Sequence, residues 1–210
     1  LTVTQMAAEE ELGEYLLVQE DGTQVKSSWF YTGTGTATYP NGEIYEGEFK
    51  DGKKHGKGTY TYSNGDKYVG AYDNDQKQGI GKMTYNEKGE YHGYFKAGQK
   101  DGEGVFKYAN GDIYSGQWKS GKKEGKGTYI VKESGAKLVG VWADGKIMKG
   151  KWIFKNQSFY EGQFDHNMPK GKGVWNFCNG NVIAGEYVQT ILPSEEEDKY
   201  PITLSWRSKE

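Results

Sequence analysis

The sequence YEGEFKDGKKHGKGTYTY at residues 45–62 decides the fold, because it places glycines and aromatic residues at alternating positions. Side chains two residues apart lie on the same face of a β-strand. Tyr45, Gly47 and Phe49 therefore share one face, and the charged residues between them point the other way. The Gly-x-Gly step and the aromatics after it continue the alternation. The stretch thus predicts a β-hairpin with its turn over Asp51 to His55.

This pattern returns with a period of 23 residues, the mark of a repeat protein. The phrase Tyr-x-Gly-x-aromatic begins at Tyr45, Tyr68, Tyr91 and Tyr114, and looser copies cover residues 138–142, 160–164 and 183–187. The first six copies are each followed by a Gly-x-Gly step or a remnant of it. The repetition predicts a series of stacked hairpins in which every unit depends on its neighbours for stability.

Two stretches depart from the period. In residues 138–159 only Gly150 remains of the Gly-x-Gly step, which predicts a distorted unit. Residues 12–44 contain a degenerate first unit with an insertion around Val25 to Tyr31. We therefore predict the following organisation: an N-terminal extension at 1–11, the degenerate unit at 12–44, the repeat array at 45–192 and an acidic linker with a strand-like tail at 193–210.

The recurring glycines predict slots for aromatic rings. Neighbouring strands lie about 4.8 Å apart, so large rings cannot occupy every facing position. A ring can instead lie flat over the bare backbone of a glycine on the next strand. We expect Gly81, for example, to lie beside Tyr62 or Tyr85. The predicted slots are Gly47, Gly58, Gly70, Gly81, Gly93, Gly104, Gly116, Gly127, Gly140, Gly162, Gly173 and Gly185. The predicted fold is all-β, an elongated, twisted, single-layer antiparallel β-meander.

Composition excludes several other classes of protein. The chain has 32 Gly, 17 Tyr and 6 Trp among 210 residues, which argues against a helical bundle and for an aromatic core. Its formal net charge of −2 does not favour a nucleic-acid binder. No stretch approaches the ~18 apolar residues of a membrane span, so we expect a soluble chain. The lone Cys178 excludes an internal disulfide, and we expect it to pack in a strand.

Tyr-x-Gly-x-aromatic followed by Gly-x-Gly at this period resembles the MORN repeat, over about residues 12–187. Within that family, the degenerate first unit, the insertion Glu133 to Lys137 and the acidic run Glu195 to Asp198 are similar to the small radial spoke head proteins of the ciliary axoneme. This resemblance implies a non-catalytic scaffold in the radial spoke head of motile cilia and flagella. It also implies a location in the cytoplasm and cytoskeleton, with other spoke head proteins as partners and a homodimer or heterodimer as one arrangement.

No catalytic, cofactor or metal site is predicted. The step Gly125-Lys126-Gly127 lacks the following helix that a phosphate loop requires. His55, His92 and His166 fall at unrelated positions of the repeat, so they do not form a ladder of metal ligands. No arrangement typical of nucleophilic catalysis is visible. We predict a protein that is not an enzyme and carries no cofactor.

Lysines gather at one set of turns. They are Lys53, Lys54, Lys77, Lys100, Lys122, Lys123 and Lys170. One interpretation is a basic edge that binds acidic phospholipids at a membrane surface, which would need affinity that falls with salt. Acidic residues are interleaved with these lysines, so the favoured interpretation is a set of solvated turns, with no membrane role. A further alternative is the targeting module of a larger protein.

The face that should be polar carries apolar residues in several units. A sheet with one buried face normally shows polar residues on the other. Here that face includes Val69, Ala71, Ile80, Tyr94, Val105, Ile130, Val139, Val141, Ile153 and Val174. Two interpretations stand side by side: scattered surface residues, or a contact stripe for a protein partner, with Val69, Tyr94, Val139, Val141 and Ile153 in the interface.

The tail predicts one more strand. Residues Tyr200 to Arg207 alternate apolar Ile202, Leu204 and Trp206 with polar neighbours. The strand could cover the last hairpin of the array or add to the sheet of a partner. The charged tether Glu195 to Asp198 favours the partner, with Trp206 as the anchor.

Overall fold

The computed structural model describes residues 14–192 and 201–208, and these residues form β-strands and turns without a helix. The chain divides into two compact units, Leu1–Asn86 and Glu87–Glu210. The predicted extension at 1–11, the acidic run Glu195 to Asp198 and Tyr200 lie outside the described residues. The strands of the first unit are β1 (Leu16–Gln19), β2 (Gln24–Val25), β3 (Gly33–Thr38), β4 (Ile44–Lys50), β5 (Lys53–Thr61), β6 (Lys67–Asp73) and β7 (Gln76–Tyr85).

In the first unit, strands that follow each other in sequence pair antiparallel from β3 to β7. Strand β1 pairs with β3 on one side and with the short β2 on the other. The insertion predicted around Val25 to Tyr31 therefore lies between β2 and β3. Neighbouring glycines face each other across the strands, as in the pair Gly58 and Gly70.

In the second unit, consecutive strands pair antiparallel from first to last. They are β8 (Gly89–Lys96), β9 (Gln99–Tyr108), β10 (Ile113–Lys119), β11 (Lys122–Ile130), β12 (Lys137–Ala143), β13 (Lys146–Ile153), β14 (Phe159–Asp165), β15 (Met168–Asn176), β16 (Val182–Ile191) and β17 (Ile202–Ser208). The prediction of an all-β antiparallel meander of hairpins is confirmed in each unit.

Tight two-residue turns close the hairpins. In the first, Asp51 has φ 50° and Gly52 has φ 82°, and β5 begins at the next residue. Positive φ at both central residues is the type I′ geometry, whose twist matches that of the flanking strands. The predicted turn from Asp51 to His55 was therefore too long. The same geometry recurs at Asn74-Asp75, Ala97-Gly98, Ser120-Gly121, Asp144-Gly145 and His166-Asn167.

A bulge explains the first glycine of each Gly-x-Gly step. Gly47 pairs with Gly58, but the next pair is Glu48 with His55, which leaves Gly56 and Lys57 outside the ladder. Gly56 has φ 57°, a conformation that favours glycine. In the distorted unit Met148 stands at the position of Gly56, and only one residue is extra there. The two-residue bulge recurs between β6 and β7, β8 and β9, β10 and β11, and β14 and β15.

The core of each unit is a row of tyrosines on one face of its strands, which we call the ring face. Tyr45, Tyr68, Tyr91, Tyr114 and Tyr160 are fully buried. Each of these rings meets the aromatic residue four positions later edge to face, with centroids 5.1 to 5.7 Å apart. The hydroxyl group of the first four donates a hydrogen bond to the backbone carbonyl three residues on. The aromatic rings therefore build the core without a second layer.

The opening tyrosine of each hairpin covers the second glycine of the Gly-x-Gly step. A Cβ atom added to Gly81 would lie 2.5 Å from the hydroxyl oxygen of Tyr68 and 2.6 Å from its Cε2. The expectation that Tyr62 or Tyr85 covers Gly81 was wrong, because the covering ring comes from the paired strand. The same ring contact occurs at Gly58, Gly104, Gly127 and Gly173. In the distorted unit the corresponding glycine is Gly150, and both it and its partner Gly140 lie instead against the backbone of the paired strand.

Asp112 joins successive turns of the second unit. Its carboxylate accepts hydrogen bonds from the hydroxyl of Tyr129 at 2.7 Å, the side-chain amide of Asn110 at 2.9 Å and the backbone N–H of Lys132 at 2.9 Å. Burial opposes ionisation of Asp112, but these hydrogen bonds outweigh it and hold its pKa below the ordinary value. Asp66 and Ser158 accept a backbone N–H in the same way.

The tail packs on the chain's own last hairpin. Strand β17 pairs with β16 along its length. The first pair is Gly185 with Ser208, and the last is Ile191 with Ile202. The Trp206 ring lies 5.0 Å from Tyr187 and 6.2 Å from Tyr160, and it covers Gly185. The prediction that this strand docks on a partner with Trp206 as its anchor was wrong, because the indole fills a slot of its own sheet. Cys178 was also misplaced, since it lies exposed in a turn.

Candidate functional site

Four of the turn lysines point into the ring face. The Lys100 ammonium lies 4.3 Å from the centroid of Trp118, 5.1 Å from Phe106 and 5.6 Å from Tyr91. Such distances are typical of cation–π contacts. Burial, together with the charge of Lys123, lowers the pKa of Lys100 to about 8. Lys54, Lys77 and Lys123 lie over aromatic rings in the same way.

The interpretation of all these lysines as solvated turn residues was therefore wrong for Lys54, Lys77, Lys100 and Lys123. It describes Lys53, Lys122 and Lys170, which are exposed. Lys122 pairs with Asp144, and Lys170 pairs with Asp165 at 2.6 Å. The position of the ring-face lysines is taken by Ile147 in the distorted unit and by Pro169 in the next, and both are fully buried. This column of residues therefore serves packing.

The opposite face of the second unit carries an exposed apolar patch. Val139 is 36% exposed, and Val141 and Met148 are each 49% exposed. The register places Val141 between Lys126 and Lys149, and Val139 between Thr128 and Lys151. We call Val139, Val141 and Met148 the valine patch. Lysines border the patch, so it joins an apolar centre to a cationic rim.

Other residues predicted for the interface lie on the same face but differ in exposure. Lys151, which borders the valine patch beside Val139, forms an ion pair with Glu161 at 3.2 Å. Ile153 is half-buried and pairs with Phe159. Tyr94 is 47% exposed, and its Cβ lies beside Gly102. Ile153 therefore belongs to the packed margin of this face, while Tyr94 stands free of the core.

The first unit has its own apolar area on the opposite face. Val69 and Ile80 are exposed beside Ala71 and line a shallow depression. Ala71 occupies the position of Glu48, whose carboxylate accepts a hydrogen bond from the bulge N–H of Lys57 at 2.9 Å. Where alanine replaces this acceptor, the face becomes apolar.

One exposed pair of aromatics was missed by the period analysis. Trp29 is 83% exposed and Phe30 is 88% exposed, in the loop between β2 and β3. The loop is held on the first type I′ turn, because Ser28 Oγ donates to the Gly52 carbonyl and the Gly52 N–H donates to the Tyr31 carbonyl, each at 2.9 Å. The signal in the sequence is the Ser-Ser-Trp-Phe-Tyr run that interrupts the repeat.

The described residues hold no group of three or more His, Cys, Asp or Glu side chains arranged to bind a metal ion. In the same part of the chain no helix is long and apolar enough to span a membrane. The features that the structure does bring together are a filled ring face and an opposite face with apolar areas bordered by charge. This arrangement suits contact with another macromolecule.

Comparison with known proteins agrees with the repeat. The family model described as MORN repeat matches residues 45–67, 68–89, 91–113, 114–130 and 160–182, about half of the chain. No curated protein sequence matches significantly. The TCP domain of SAS-4 (dCPAP) of Drosophila melanogaster, solved in complex with a proline-rich motif of Ana2 (dSTIL), is 18% identical with a TM-score of 0.48, over 88% of this chain and 95% of that chain. The TCP10c domain of Drosophila melanogaster Sas-4 is 19% identical with a TM-score of 0.42, over 72% and 90%.

Proposed function

The chain belongs to the MORN repeat family, and from this membership we propose that it is a non-catalytic scaffold that binds other protein subunits through its opposite face. MORN repeats are modules of protein interaction or membrane targeting. The observation that carries the choice is the valine patch, because exposed valines on a sheet face gain free energy when a partner covers them.

The assembly we propose is the radial spoke head of the motile ciliary axoneme. The support is the similarity in sequence order: a degenerate first unit, the insertion Glu133 to Lys137 before the distorted unit, and the acidic run Glu195 to Asp198 after the array. In this role the protein supports ciliary and flagellar motility as a structural subunit. Its partners are other spoke head proteins.

Binding to acidic phospholipids is the rival function. A lipid-binding edge needs cationic side chains that reach the headgroups. Lys54, Lys77, Lys100 and Lys123 instead hold their ammonium groups over aromatic rings. This arrangement removes much of the basic edge, which favours a protein partner.

The test is the double variant Val139→Lys/Val141→Lys, expressed with a tag in ciliated cells. Two lysines in the valine patch should abolish recovery of axonemal subunits, because burying them against a partner would carry a desolvation cost. Binding to acidic phospholipid vesicles should instead increase with the added charge. The two functions therefore predict opposite changes.

The matched control is Ser115→Lys/Ala184→Lys, which adds the same charge at the positions equivalent to Val139 in two other repeats. This control should leave assembly intact. Both variants should keep the thermal stability of the parent, since all four sites are exposed. Normal recovery of axonemal subunits by the valine variant would overturn the interface, and recovery of only membrane proteins by the parent would overturn the scaffold.

A further inference from the structure

Strand β17 presents an edge that no other strand of the described residues covers. It is seven residues long, and among the described strands it pairs with β16 alone. Edge strands are normally protected by shortness, lysine, proline or a bulge. Strand β2 shows the first of these devices, since it has two residues. Strand β17 has none of the four, and Arg207 is its one charged residue.

The backbone groups that face outward can be assigned. The Leu192 N–H donates to the Pro201 carbonyl at 2.8 Å, so this pair lies in the hydrogen-bonding position of the ladder between β16 and β17. Hydrogen-bonded and non-bonded pairs alternate along an antiparallel ladder. Residues 203, 205 and 207 therefore bond to β16. Residues 202, 204, 206 and 208 point their N–H and C=O groups away from it.

The side chains on this edge are self-compatible. Trp206 lies on the ring face beside Tyr187, and alternation places Ile202 and Leu204 on that face too. Thr203 and Ser205 lie on the opposite face. An extended strand can satisfy the whole row of outward backbone groups at once by adding to the edge of the sheet. The strand that fits must therefore be mainly uncharged and must offer apolar residues to Leu204 and Trp206.

We propose that the occupant of this edge is β17 of a second copy, paired antiparallel about a two-fold axis at Ser205. This register sets Leu204 against Trp206 and Ile202 against Ser208, all of them residues with outward backbone groups. It forms about eight inter-strand hydrogen bonds. Arg207 meets Thr203, so no like charges oppose each other. The interface is isologous and closes as a dimer.

Cysteine crosslinking tests the register in the full chain with Cys178→Ser as background. At the axis, the two Ser205 Cα atoms would lie about 4.5 Å apart, within the range of a disulfide. Ser205→Cys should therefore form a covalent dimer under mild oxidation. Thr203→Cys is the matched control: its two copies would be about 14 Å apart along the paired strands and should not crosslink.

Sedimentation tests the edge without new thiols. Leu204→Pro removes an outward N–H and leaves the bonds to β16 intact, a position where edge strands tolerate proline. The parent should sediment as a dimer and Leu204→Pro as a monomer with unchanged far-ultraviolet circular dichroism. Leu204→Ala, which loses the same side chain but keeps the N–H, should remain dimeric at high concentration.

Each outcome decides the proposal. A parent that stays monomeric at every concentration would overturn it, as would a dimer that survives Leu204→Pro and does not crosslink through Ser205→Cys. If Leu204→Pro does not fold, the contrast between Ser205→Cys and Thr203→Cys still decides. The self-pairing does not depend on the proposed scaffold function, since both measurements use the purified chain alone.

Discussion

Gly81→Ala tests whether the glycines of the array are slots for rings. Gly81 has an ordinary backbone conformation, so alanine adds no φ strain there. Its Cβ would lie 2.5 Å from the hydroxyl oxygen of Tyr68, 2.6 Å from Cε2 and 2.7 Å from Cζ. Carbon atoms prefer separations of about 3.5 to 4.0 Å. The Tyr68 ring must therefore move by roughly 1 Å.

That movement has a cost that the structure allows us to work out. Tyr68 is fully buried, so displacing its ring disturbs a packed site, at about 1–3 kcal/mol. The hydroxyl also donates to the Ala71 carbonyl at 3.0 Å, and losing this bond adds about 1 kcal/mol. We expect Gly81→Ala to lower the free energy of unfolding by about 2–4 kcal/mol.

A double-mutant cycle with Tyr68→Leu separates the ring contact from other effects. Leucine occupies the equivalent position at Leu138, so the substitution suits the fold. In the Tyr68→Leu background, Gly81→Ala should cost at least about 1 kcal/mol less. The control is Gly98→Ala, whose Cβ would meet open space at φ 81°; its cost should be the same in both backgrounds. Urea unfolding followed by tryptophan fluorescence measures each term, and an equal cost of Gly81→Ala in both backgrounds would refute the slot.

Three further predictions concern the rings and their partners. Burial raises the pKa of Tyr68 and Tyr160 to about 12, whereas an unfolded tyrosine ionises near pH ~10. The contribution of each buried tyrosine to the free energy of unfolding is therefore complete below pH ~10. It falls by about 1.4 kcal/mol per tyrosine at pH ~11 and is lost as pH rises through about 12. Urea unfolding across this range should show the loss, and Tyr68→Phe, which cannot ionise at this position, should lose about 1.4 kcal/mol less than the parent between pH ~9 and ~11; an equal loss in both proteins would contradict the prediction. Lys100→Ile should change the unfolding free energy by less than about 1 kcal/mol, because Ile147 fills the same position and replacing a buried charge by an apolar group is often neutral. Lys100→Glu should cost about 2–4 kcal/mol. Equal effects of the two variants in thermal melts would refute a packing role for Lys100. Asp112→Ala should cost about 1–3 kcal/mol by leaving its three donors unpaired, and urea titrations should show a smaller deficit as pH falls through the pKa of Asp112, which its hydrogen bonds hold below the ordinary value.

The sequence period predicts the hairpins and their two faces because alternation and repetition both act on the same residues. A ring at Tyr45 has to be matched by a glycine on the paired strand, so the spacing carries three-dimensional information. Turn length was predicted less well. The pair Asp51-Gly52 contains the whole turn. The lysines after it resemble loop residues in the sequence because the bulge at Gly56, which brings the later residues back to their faces of the strand, is not visible there.

The ring-face lysines show a signal that was present and misread. Lys54, Lys77, Lys100 and Lys123 are separated by 23 residues, the same period as the tyrosines. Solvated turn residues have no reason to keep that spacing, whereas a cation packed between rings does. Grouping them with Lys53 and Lys122, which lie one residue earlier, hid the column. Charge alone therefore does not separate the two environments, but register does.

The prediction for the tail was wrong because it relied on the charge of the tether and ignored the last glycine slot, which an aromatic ring has to fill. Gly185 holds the position of the opening-phrase glycines such as Gly47 and Gly70, and the Trp206 ring lies over it. An edge strand at β16 also needs hydrogen bonds, which β17 supplies. Applied to the end of the array, the repeat pattern therefore predicts that β17 packs on β16 of the same chain.

The two faces of the strands tolerate substitution differently, which explains where this chain can carry specificity for a partner. On the ring face the buried tyrosines and the glycines beneath them constrain each other, so changing either of them costs stability. On the opposite face one position of the repeat takes five residue types in seven repeats, namely Glu46, Val69, His92, Ser115, Val139, Glu161 and Ala184. Because these side chains lie outside the packed rings, each unit can change them independently. Among these positions, Val139 is the one whose apolar side chain adjoins a second exposed valine, Val141.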